Sequence, residues 1–150
     1  MEGARSRQQR RQDALAKLSE VHADAWVASS ADGVAHLVPL SYAWDGACLI
    51  VVSDDAALTT RNIRASGGAR VALGTTRDVV MVEAVLDDSV GRDAETSSIE
   101  EIYARQADWD PREVEGDFVY LRLRPRRIQV WREANEIAGR TVMRDGAWID

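Results

Sequence analysis

The sequence has one cysteine, one lysine, two histidines and no long apolar run. Each scarcity excludes something. Cys48 has no second cysteine to pair with, so an intrachain disulfide is excluded, and inside an apolar strand it reads as a small buried apolar residue. One cysteine with His22 and His36 far apart gives no metal-ligand spacing. Lys17 is the only lysine, so any anion site must use arginine, hydroxyls or backbone N–H groups. No apolar stretch approaches the roughly 18 residues that span a bilayer. The basic start, MEGARSRQQRRQ, lacks the apolar core of a signal peptide. We therefore expect a cytoplasmic protein with no membrane partner. The net charge of −6 argues against general nucleic-acid binding. No GxGxxG is present, which speaks against a dinucleotide-binding sheet.

At 150 residues, 45% apolar and 29% charged, the chain suits one domain with a real core. The segments 1–9 and 134–150 read as peripheral, the latter as a polar tail with Trp148 near its end. Residues 7–22 have helical periodicity, and His22 reads as a helix-end residue. A strand over 23–29 leads to the turn signal Asp32-Gly33, and 34–44 alternates. In that strand His36, Val38, Leu40, Tyr42 and Trp44 share a face. Pro39 cannot donate to a ladder, so it implies an edge, a bulge or a bound molecule there. Asp45-Gly46 makes a second turn signal before CLIVVS.

The most informative stretch is Cys48–Gly74, CLIVVSDDAALTTRNIRASGGARVALG, which reads as strand, short helix, strand. Asp54 and Asp55 are candidate caps for a helix starting near Ala56, and Gly67-Gly68 ends it. Thr59, Thr60, Arg61 and Asn62 then put hydroxyls, an amide and a guanidinium near a helix start, a chemistry suited to phosphate. The other reading of Arg61 is a surface cap or salt bridge.

Next comes RVALG, then a long strand, 78–87, apolar on both faces and so expected to be buried on both. Within it Glu83 is either a buried paired carboxylate or a catalytic base. Ser97 and Glu100 are a candidate capping box for a third helix. FVYLRL, a break at Pro125 and a last strand at 128–132 follow. Trp26, Trp44, Trp109 and Trp131 read as core or interface residues before substrate contacts. Six or seven short strands with three interspersed helices predict a mainly β, α+β fold, a small antiparallel barrel with helices at its ends.

The order helix, "HLVPLSYAWDG", strand, "LTTRNIRASGGARVALG", long strand, helix and "RPRRIQVWRE" resembles the flavin-binding split β-barrel family, the pyridoxamine 5′-phosphate oxidase-like superfamily. Within it the chain is most similar to flavin/deazaflavin oxidoreductases that use F420 or FMN. The resemblance covers about residues 10–132. It implies a homodimer with cofactor sites at the interface. Val38, Pro39 and Leu40 would run along the ring, and His36 would point to the cofactor side chain. Ser53, Thr59, Thr60, Arg61 and Asn62 would meet the ribityl chain and phosphate. Arg77 and Trp131 of the other subunit would close the site.

No catalytic acid or base is implied, because the cofactor ring itself donates hydride to a small unsaturated or quinone-like substrate. Thr59 stands where many relatives have lysine. The tail NEIAGRTVMRDGAWID does not match the substrate signature of true pyridoxamine 5′-phosphate oxidases, so vitamin B6 oxidation is not expected. The alternatives are a carrier that binds flavin, F420 or heme without turnover, and a barrel with an empty site.

Overall fold

The computed structural model describes residues 2–91 and 97–150. Helix α1, Arg7–Leu18, is followed by strands β1 (Asp24–Ala31), β2 (Val34–Trp44) and β3 (Leu49–Asp54). Helix α2, Leu58–Ser66, separates β3 from β4 (Gly68–Thr75) and β5 (Asp78–Gly91). After helix α3, Ser97–Gln106, come β6 (Phe118–Trp131), β7 (Thr141–Arg144) and β8 (Ala147–Trp148). The sheet runs β3-β2-β1-β4-β5-β6-β7-β8, and β3 also pairs with β6. That last pairing closes β1 to β6 into a six-stranded antiparallel barrel, with β7 and β8 as an added hairpin. The fold is thus mainly β with three helices, as the sequence predicts.

Alternation fills the interior. Ala25, Val27, Tyr42, Leu49, Val51, Val71, Leu73, Val80, Val82, Leu121, Leu123 and Ile128 point inward and are buried. α1 adds Ala14 and Leu18 to this core, and α2 adds Ile63. Each such large aliphatic side chain contributes roughly 1.5–3 kcal/mol of burial. Ser6 caps α1 in a capping box with Gln9.

A second cluster lies outside the barrel, where Ala43, Ile50, Val52 and Tyr120 meet Tyr103 and Ala107. Tyr103–Trp109 and Trp109–Phe118 pack edge to face at 6.1 and 5.1 Å. Each pair adds about 0.5–1.5 kcal/mol beyond its area. α3 therefore covers the outer face of β2, β3 and β6. The proposed capping box of α3 rests on the side chain of Ser97, which lies outside the described residues.

Among the described residues, nothing covers the opposite outer face. Register gives its rows directly: Pro39, Trp26, Ala72, Met81 and Gln129 stand side by side on β2, β1, β4, β5 and β6. Leu37, Ala28, Arg70, Glu83 and Arg127 form the neighbouring row. Trp26 is 52% and Leu37 60% exposed. This corrects the expectation for β5. Val80, Val82 and Ala84 are buried, but the other face is partly open. Glu83 is neither buried nor isolated: its side chain is 46% exposed and lies 3.5 Å from Arg70.

Four other readings change. α1 ends at Leu18, and His22 sits beyond it with φ 55°, its N–H donating to the carbonyl of Gln106 at 2.8 Å. Pro125 does not break the last strand. β6 runs through it, because a register shift opposite Glu83/Ala84 bulges the strand there and relieves the missing donor. Asp54 and Asp55 do not cap α2, which begins at Leu58 behind Ala57. Asp54 instead turns the chain before it, accepting from the Ala56 N–H at 2.9 Å. The tail is not peripheral: Val142 and Met143 join the main core.

The start of the chain is tied to that tail as well. The Arg5 guanidinium donates to buried Glu136 at 2.7 Å, and the Arg132 amide donates to the same carboxylate at 2.8 Å. These bonds hold the Glu136 carboxyl down at about 2 despite its burial.

Candidate functional site

The site grows from the place where β2 loses a neighbour. β3 pairs with β2 only at Tyr42, Ala43 and Trp44. From Val34 to Ser41 the strand is paired with β1 alone, so among the described strands its other edge is free. Pro39 belongs to this stretch and keeps register with Trp26. Of the three explanations for a proline here, the edge is the one observed. Val38 and Leu40 turn inward and pack on the main core, whereas Pro39 faces out and is exposed.

α2 lies beside this edge. Its sequence sets its phase: Ile63 must reach the core, so Thr59, Thr60 and Asn62 turn inward with it. Thr59 is 3% exposed, and its hydroxyl lies 3.1 Å from Nε2 of His36 on β2. Thr60 is fully buried and donates to the Asp54 carbonyl at 2.7 Å, bracing the turn into the helix. Asn62 donates to the Ser29 hydroxyl at 3.3 Å. Ser53, half-buried, is the penultimate residue of β3, just before that turn.

Arg61 differs from its neighbours. It is exposed, and its guanidinium makes no hydrogen bond or ion pair among the described residues. Arg64, two residues past Asn62, is by contrast engaged with Asp55 at 2.7 Å and Ser89 at 3.0 Å. The helix start itself has no side-chain cap, since Ala57 occupies that position. An unpartnered guanidinium and an uncapped helix N-terminus thus stand together, a local field that favours an anion.

The structure brings His36, Thr59 and Asn62 together with Ser29, a residue the sequence reading passed over. The signal for Ser29 was its place in a strand that alternates toward the core. Arg77 and Trp131 are not brought to the cluster within one chain. They lie where β4 and β5 turn, the end of the barrel away from the β1–β2 hairpin. There Arg77 is exposed and pairs with Glu133 at 3.0 Å.

A cleft of about 430 Å³ opens near the cluster. β1 and β4 pair only over Trp26, Val27 and Ala28 and then diverge. Ser29, Ser30, Ser66, Gly68, Arg70 and Glu83 line the gap. Among the described residues there is no group of three or more His, Cys, Asp or Glu able to hold a metal ion. No described helix is long and apolar enough to cross a membrane.

No protein-family model matches the sequence, and no curated protein matches it. Solved structures do share its architecture. An F420 reductase superposes with a TM-score of 0.57 at 20% identity, over 74% of this chain and 92% of that one. A putative pyridoxamine 5′-phosphate oxidase from Listeria innocua gives 0.62 at 18% identity, over 87% and 99%. A FAD-binding protein from Mesorhizobium loti gives 0.54 at 18%, over 78% and 90%. At these identities the likeness concerns the fold. The closed six-stranded barrel, its helices and these neighbours agree: the chain has the fold of the flavin-binding split β-barrel proteins of the pyridoxamine 5′-phosphate oxidase-like type.

Proposed function

We propose that the protein is an oxidoreductase that binds F420, with FMN as the alternative, at the interface of a homodimer, and passes hydride to a small unsaturated or quinone-like substrate. The observation that carries this reading is the edge of β2 from Val34 to Ser41, free among the described strands and lying against α2, where Arg61 has no partner among the described residues. The solved neighbours, an F420 reductase and a FAD-binding protein among them, supply the class of cofactor.

The residues present fit such a group. Backbone N–H and C=O groups of the β2 edge would meet the polar rim of a flat ring, and the ring of Pro39 would pack on its face. Arg61 and the uncapped start of α2 would hold the phosphate. His36, Thr59, Thr60 and Asn62 are turned inward and joined to other groups, so they shape the floor of the site. Direct phosphate contact falls to Arg61. Arg77 and Trp131 would act on the partner's site, since in their own chain they lie at the far end of the barrel.

When bound, such a cofactor supplies the hydride from its own ring. The chain orients it along β2, neutralises its phosphate and excludes water by pairing the open outer face with a second copy. That face combines Trp26, Leu37, Pro39 and Met81, an apolar surface that monomers seldom leave uncovered.

The test is direct. The purified protein is stripped of small molecules and titrated with F420 and FMN, and its absorbance as isolated is recorded. Dissociation constants below about 100 μM, near 5.5 kcal/mol, are expected for at least one of them. Binding of neither sinks the reading. Tight binding with no hydride transfer to a broad panel of acceptors would instead identify a carrier.

A further inference from the structure

The uncovered outer face carries a charge pattern that none of the roles above uses. Across β4, β5 and β6 the register places Arg70, Glu83 and Arg127 side by side. Arg70 and Glu83 are 61% and 46% exposed, and their closest approach is 3.5 Å. Among the described residues neither side chain makes a hydrogen bond, so each keeps unused polar atoms facing outward. In the next row Ala72 and Met81 occupy the same two strands, both half-buried.

We infer that Arg70 and Glu83 fix the register of self-association, with Arg70 of each copy facing Glu83 of the other across a two-fold axis that runs along the strands between β4 and β5. The occupant of the face is a second copy, and the argument is charge complementarity. A two-fold axis in the plane between two facing sheets exchanges β4 with β5. It therefore sets plus against minus twice, and it sets Ala72 against Met81 in the adjoining row. An axis centred on β5 would oppose Glu83 to itself and Arg70 to Arg127, which like-charge repulsion forbids. The chosen axis lies beside β4, the central strand of the open face formed by β2, β1, β4, β5 and β6. The inference rests on the homodimer of the proposed function and adds the contact that selects its geometry.

Charge exchange tests it. Arg70→Glu alone makes two Glu–Glu oppositions, and Glu83→Arg alone makes two Arg–Arg oppositions. Each is expected to raise the dimer dissociation constant about tenfold or more, measured by sedimentation. The double variant Arg70→Glu/Glu83→Arg restores both pairs and is expected to dimerise like the parent. Mixing the two single variants is expected to give heterodimers in preference to either homodimer. Loss of the ion pair within one chain predicts none of that preference, and melting curves of each variant report folding separately. If the parent dimerises but the single variants dimerise equally well, this contact is wrong and the dimeric reading stands. A parent that stays monomeric, with or without cofactor, overturns both.

Discussion

Nε2 of His36 and the hydroxyl of Thr59 meet at 3.1 Å, joining β2 to α2 at the point where the free edge and the helix start converge. Because Thr59 is engaged there, Arg61 stands as the one outward-facing cation of the TTRN segment. Arg61→Ala is expected to weaken F420 or FMN binding about ten- to a hundredfold, the range for losing a hydrogen-bonded charge. Its stability should change by no more than about 0.5 kcal/mol, as for an exposed site. Thr59→Val should do the reverse, costing about 1 kcal/mol of stability with a smaller effect on affinity. Titration and denaturant melts of both variants check this, and equal affinities for Arg61→Ala and parent would refute the phosphate role.

Gln106 joins three elements. Its carbonyl oxygen accepts from the Trp44 amide at 2.9 Å, and its amide donates to the carbonyls of Leu18 at 2.7 Å and Glu20 at 3.2 Å. Gln106→Leu keeps the volume and strands these groups. We expect a loss of about 2–4 kcal/mol by chemical denaturation. A loss under 1 kcal/mol would mean that water replaces the side chain without penalty.

Acid should loosen the chain start from the tail. Glu136 is held at about 2 by Arg5, below its ordinary 4.5. A depressed carboxyl pKa contributes stability that is complete above the unfolded value and is lost as pH falls through the folded one. The contribution is on the order of 3 kcal/mol and should fade between pH 4.5 and 2. Denaturant melts of the parent and Glu136→Gln across that window should differ most near neutrality and converge at the acid end. A constant gap would show that the pair does not titrate.

Gly74, with φ 83°, closes β4 against the Asp78 carbonyl, and a Cβ would collide with that oxygen and with the Lys17 side chain. Gly74→Ala should cost about 2 kcal/mol or more, because left-handed backbone and clash add. Gly33→Ala, at φ 76° with open space around it, should cost less. Thermal melts of the pair separate strain from collision, and equal losses would refute the role of the collision.

How much of this was legible depended on whether a signal was local. Asp32-Gly33 declared its turn, and both residues adopt positive φ. The same pair of residues at Asp145-Gly146 has the same geometry and makes the β7–β8 hairpin. The information was equally present there, but a polar setting hid it. The inward face of β2 was also readable, because His36, Val38, Leu40 and Tyr42 alternate. The orientation of Thr60 and Asn62 was not. It follows from the phase that Ile63 imposes on a nine-residue helix packed on the barrel. Nor was the openness of β5 readable, since two apolar faces look alike whether a helix or another molecule covers the second one.

The β3–β6 seam has a consequence for the newborn chain. β3 is complete at Asp54, yet the strand that seals it begins at Phe118. Until the ribosome has delivered that segment, β3 keeps a bare edge and the core has no final wall. Distant pairing of this kind is entropically slow to form. Closure of the barrel therefore waits on β6, the strand that pairs with β3 on one side and β5 on the other.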